Sequence, residues 1–177
     1  MSLAQQNIDI LKANVIWHFE LIGVQIKHAD TVKGREKSGY YKVAILLASA
    51  TAEALAHAVL RAKLAEGILP PSGGWECYES YFLPDSHQNQ NTPFRLSICK
   101  RHKVIFELTD KTDFIRVNEV SKELGIFSEA FFKKMEKVRK MRNKIHIQSL
   151  DSVDRSYNKE QLDSIGYVVN KLIDKLP

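Results

Sequence analysis

Two arginines and a histidine fall close together in residues 131–147, FFKKMEKVRKMRNKIHI: Arg139, Arg142 and His146. Guanidinium groups clamp phosphate oxygens through paired N–H donors, and imidazole exchanges protons near neutral pH. Together they could bind a phosphodiester, stabilise its developing charge and move a proton. On a helical wheel of about 100° per residue, Phe131, Met135, Val138 and Ile145 lie within roughly 80° of one another. That stripe is suited to a core, and Arg142, His146 and Arg139 line its edge at roughly 40°, 80° and 100° from its centre. Lys133, Lys137, Lys140 and Lys144 occupy the far side, where ammonium groups stay hydrated.

Polar groups beside a core stripe carry a desolvation cost that something must offset. One account keeps them structural: both arginines pair with carboxylates, and His146 donates to a carbonyl near the helix end, where the dipole favours a cation. The other leaves them available to a polyanion. Between Lys133 and Lys144 seven residues are Lys or Arg and one, Glu136, is acidic, so the basicity is concentrated on this helix.

The stretch resembles the HEPN superfamily of helical proteins, which includes many prokaryotic toxin and defence ribonucleases. Arg139 and His146 match its R-x(4–6)-H motif with six residues between them, and Arg142-Asn143-Lys144-Ile145-His146 has the RN…H form. A three-residue gap separates Arg142 from His146, so the register rests on Arg139 with Arg142 as a second arginine. The order of a long apolar helix, a late Arg/His helix and a closing helix also fits, over most of the chain except a central insert.

The resemblance implies cleavage of RNA to 2′,3′-cyclic phosphate and 5′-hydroxyl ends, with no metal and no cofactor. The arginines and histidines of two protomers would meet across a homodimer interface. In that scheme Arg139, Arg142 and His146 are catalytic, Asn143 and Glu53 support them, and Lys140 and Lys144 contact RNA. In one toxin branch a tyrosine two positions after the histidine is modified by a nucleotidyltransferase partner. Here that position is Gln148, so that particular antitoxin mechanism is not implied, while an antitoxin or nucleotidyltransferase stays open as a partner. Two readings compete: a non-catalytic RNA-binding or sensor domain on the same scaffold, and a helical partner protein using the motif as an interface network.

The elements that must position these residues follow from patterning. With 177 residues and 44% hydrophobic content, a single mainly all-α domain with a sizeable core is expected, interrupted by an insert at about 67–110. A formal charge of +5 suits a polyanion partner and many other soluble proteins equally. No stretch suggests a membrane span, and the first residues lack the pattern of a secretory signal, so a cytoplasmic protein is expected. Cys77 and Cys99 show no CxxC or zinc spacing and read as free thiols in a reducing compartment.

In residues 4–29, Ile8, Leu11, Val15, Phe19, Ile22 and Ile26 step by three or four, with Trp17 and Leu21 broadening the face: a first helix. His18 and His28 are isolated there. The charged, glycine-containing residues 32–39 predict a loop. Residues 40–65 predict a buried central helix with Val43, Leu46, Leu47, Ala50, Ala54, Leu55, Ala58 and Leu60 as its apolar face. Glu53 and His57, at i and i+4, are its polar exceptions: a structural pair, or support for the arginine/histidine site.

Prolines, Gly73-Gly74 and a polar run mark 67–93 as an irregular insert, whose Trp75, Tyr78, Tyr81 and Phe82 predict packing in preference to RNA stacking. Residues 94–99 and 104–109 predict a small β-hairpin about a basic turn. A short helix at 117–124 ends at Gly125. Ser128 caps the arginine helix, which runs to about 148–150, and a last helix spans 158–176.

Overall fold

The computed structural model describes the backbone of residues 3–68, 75–82, 95–101, 106–145 and 156–176, and side chains within 9–68, 106–145 and 156–176. Helices dominate: α1 (Leu3–Thr31), α2 (Gly34–Ala65), α3 (Phe114–Glu123), α4 (Glu129–Ile145) and α5 (Lys159–Ile173). Two strands, β1 (Trp75–Phe82) and β2 (Arg95–Arg101), form an antiparallel pair. The chain divides into two compact units, residues 1–68 with 110–177, and residues 69–109.

The helical unit is built around α2, whose 32 residues span about 48 Å. It meets α1, α3, α4 and α5. Alanines at 44, 48, 52 and 56 are buried and let neighbouring helices approach, while Ile45, Leu55, Val59 and Leu60 fill the core. Each large apolar side chain so buried stabilises the fold by about 1.5–3 kcal/mol. By length and composition α2 could also cross a membrane, unlike the expectation from sequence, yet 56% of its most apolar window is buried within the protein. That is the environment of a core helix.

Several boundaries and faces differ from the sequence expectations. The loop at 32–39 shrinks to Val32 and Lys33, because Gly34 takes the left-handed φ of +60° that turns the chain and the following charged residues are good helix formers. In α1, Val15, Ile22 and Ala29 are buried, but Trp17 and Phe19 are 58% and 40% exposed. Among the described helices α1 packs only on α2, so one narrow stripe suffices. In α2, Val43, Leu46 and Ala54 are exposed, since the helices around it cover the faces carrying Tyr41, Ile45 and Ala52 instead.

Caps stop and start the later helices. Gly125, at φ +71°, follows α3, and Ser128 Oγ accepts from the Phe131 N–H at the start of α4. Asn158 and Gln161 form a reciprocal capping box on α5, while the Tyr157 N–H donates to Ser38 Oγ on α2. These bonds set where α4 and α5 begin.

In the second unit, the expected hairpin of 94–99 with 104–109 is replaced by pairing of β2 with β1. Residues 106–109 carry no regular structure, and 102–105 lie outside the described residues. The alternation of WECYESYF supplies the better strand partner. The ladder skips Tyr78, an irregularity between Cys77 and Glu79. The insert's aromatic side chains lie outside the described side chains.

Candidate functional site

The helix carrying the arginines faces as its periodicity requires: Phe131, Met135, Val138 and Ile145 are buried. Lys133, Lys137, Lys140 and Lys144 are exposed, as is Asn143. Arg139 and Arg142 lie between these faces, their side chains 19% and 31% exposed. His146 follows the last described residue of α4 and lies outside the described residues, as does Gln148.

Arg139 is gripped from one turn earlier on its own helix. Its Nε donates to both carboxylate oxygens of Glu136, at 3.1 and 2.9 Å, and its Nη2 donates to Oε2 at 2.7 Å. Asn118, fully buried on α3, donates from Nδ2 to Glu136 Oε1 at 3.0 Å. Burial alone would push the Glu136 carboxyl up. The hydrogen bonds from Arg139 and Asn118, with the charges of Arg139 and Lys140, outweigh it and hold the group below its ordinary value. The bond to Glu136 likewise raises Arg139, against its own partial burial. Both groups are therefore ionised across the neutral range.

Arg142 is held from another helix. Its Nη2 lies 3.0 Å from Oε2 of Glu53 on α2. Glu53 thus links α2 to the arginine edge and also acts electrostatically on His57, so both of its readings keep a contact. His57, one turn along α2, is held below its ordinary pKa chiefly by burial, with Arg61 adding to the effect. Glu53, Asp110 and a hydrogen bond with the Thr112 backbone act in the opposite direction. Its imidazole is consequently neutral at pH 7.

Around this edge, Arg61 pairs with Asp110 at 2.8 Å on the surface, a contact with no local sequence signal. Between α4 and α5 a shallow cleft of about 200 Å³ is lined by residues including Lys137, Met141, Ser164 and Tyr167. Lys134 Nζ sits 3.8 Å from the Tyr167 ring centroid, a cation–π contact that covers part of this aromatic face. Sequence periodicity had placed Tyr167 nowhere in particular.

The other isolated histidines have local partners. His18 Nδ1 shares a 2.8 Å hydrogen bond with Thr51 Oγ1, and His28 stacks on Tyr40 with ring centroids 5.3 Å apart. Among the described residues no three of His, Cys, Asp and Glu gather in a way that could hold a metal ion.

The arrangement therefore offers two guanidiniums on one helical edge, each oriented by a carboxylate and each partly open to solvent, beside a row of lysines. Such an edge can orient a phosphodiester through the arginine N–H groups that the carboxylates do not engage, or it can serve as a polar seam between helices. No protein family, curated protein or solved structure matches the chain.

Proposed function

We propose that this chain is a metal-independent endoribonuclease of prokaryotic toxin or defence type, on a HEPN-like helical scaffold, working as a cytoplasmic homodimer. What supports the reading is the placing of two partly exposed guanidiniums, Arg139 and Arg142, on one edge of α4 beside exposed lysines, although their pairing with Glu136 and Glu53 is what the structural account expects. Guanidiniums oriented before substrate arrives need little reorganisation to meet a charge that develops during reaction.

In this reading His146 takes the proton of a ribose 2′-hydroxyl as its oxygen attacks the adjacent phosphorus. The P–O5′ bond breaks, the departing oxygen gains a proton, and the products end in a 2′,3′-cyclic phosphate and a 5′-hydroxyl. Arg139 and Arg142 hold the phosphate oxygens, Asn143 steadies the arrangement of the site, and Lys140 and Lys144 contact the RNA. Glu53 acts as a positioning residue through Arg142. Two protomers related by a two-fold axis would place two such edges around one strand.

The test is incubation of the purified chain with RNA in EDTA. Cleavage by wild type to cyclic-phosphate ends, slowed roughly 10²–10⁴-fold in His146→Ala, is the expected result. RNA left equally intact by both proteins, at concentrations where the chain is dimeric, overturns the enzyme reading.

A second reading has its own observation: both guanidiniums already carry a carboxylate from the same subunit, which reduces the positive charge each can offer a phosphate. A non-catalytic RNA-binding or sensor domain would bind RNA in a salt-sensitive manner, keep that binding in His146→Ala and lose part of it in Arg139→Ala. No binding at low salt would remove this reading.

A further inference from the structure

Cys77 and Cys99 are far apart in sequence, yet the antiparallel register of β1 and β2 sets them directly opposite one another. Opposed residues in such a ladder have Cα atoms about 4.5–5.5 Å apart and share one face of the sheet. Disulfides need Cα separations of about 4.4–6.8 Å. The Cα spacing that a cross-strand bond needs is therefore met by the register itself.

Beside Cys77 the ladder skips Tyr78, leaving that residue without a partner opposite. A bulge of this kind bends the strand and increases its twist beside Cys77, which breaks the regular ladder at that point. These are also the only two cysteines in the chain, which removes any competing internal partner.

We infer that Cys77 and Cys99 are a dithiol site that closes to a cross-strand disulfide when the chain meets a low-molecular-weight disulfide oxidant. One protein thiolate attacks the oxidant's sulfur and expels a thiolate, leaving a mixed disulfide on the protein. The second protein thiolate attacks the protein sulfur of that bond and expels the other half of the oxidant. The protein loses two hydrogens, and the oxidant is reduced to two thiols. The closed form staples β1 to β2 across the residues between them and so restricts the open states of the 69–109 unit. This inference does not depend on the RNA-cleavage reading.

The test uses the full chain with oxidised glutathione at pH 8, followed by intact mass, alkylation and peptide mapping. Expected is a monomeric product lighter by two hydrogens, resistant to iodoacetamide, with Cys77 and Cys99 in one linked peptide pair and both thiols restored by dithiothreitol. Cys77→Ser and Cys99→Ser should each carry glutathione instead. In the closed form, hydrogen exchange of β1 and β2 amides should slow by about 100-fold, the scale of closing a loop of about 20 residues. Wild type that keeps both thiols alkylatable, accumulates glutathione adducts, or links chain to chain overturns the inference.

Discussion

Arg139 and Arg142 stand three residues apart on one helix, yet they are held in different ways. Arg139 is fixed by Glu136 from the same helix, with three hydrogen bonds and with buried Asn118 behind the carboxylate. Arg142 reaches across to Glu53 on α2 through its Nη2, 3.0 Å from Oε2, and is more exposed. The first arrangement is a local clamp whose loss disturbs the α3–α4 packing. The second is a bridge between helices, closer to something a ligand could displace. Neighbouring residues of one type thus divide into a more structural and a more available member.

The largest effect that would sharpen this contrast is on RNA cleavage. If the bridge is the displaceable member, Arg142→Lys should lower the cleavage rate at least 10-fold with little loss of stability, because Lys keeps the charge and lacks the guanidinium fork. Equal rates for wild type and Arg142→Lys would assign the phosphate contact elsewhere.

Next in size is a stability difference between the acids. Glu136→Ala leaves a partly buried guanidinium and the Asn118 amide without their acceptor and should cost about 2 kcal/mol in urea unfolding. Glu53→Ala should cost about 1 kcal/mol or less, the bridge lying nearer solvent. Equal costs would erase the distinction between clamp and bridge.

A smaller test uses pH. Because Glu136 is depressed in the folded state, its contribution is present above its ordinary carboxylate value of 4.5 and is lost as pH falls through the depressed value. His57 is also depressed, so the unfolded chain accepts its proton first and stability begins to fall below about 6.5. Urea midpoints from pH 8 to 3 should show an early loss that His57→Gln removes and a later one that Glu136→Gln removes. A single loss unaffected by His57→Gln would contradict the His57 assignment.

The clamp follows from helical spacing, whereas Glu53 is legible in the sequence only as support for the arginine edge, without its partner Arg142. Glu136 is the lone acid among seven bases, and helical spacing sets it one turn before Arg139. Glu53 lies in a distant helix, with His57 one turn along, and no periodicity tells which helix will approach that turn. The same limit applies to the strands. A β-prone run at 94–99 was visible, but choosing between 75–82 and 104–109 as its partner requires the long-range pairing itself. Helix α4 was readable because a single stripe and a serine cap agree on one face and one start. The residues 34–39 were misread because two glycines weighed more in a local count than the helix formers between them.

The chain has two tryptophans, Trp17 on α1 and Trp75 on β1, one in each compact unit. Tryptophan emission, excited where tyrosine does not absorb, is therefore already partitioned: in Trp17→Phe it comes from the inserted strands, and in Trp75→Phe from the helical body. Coincident denaturation curves from the two variants would mark one cooperative transition and separated curves two, with no dye, tag or label attached.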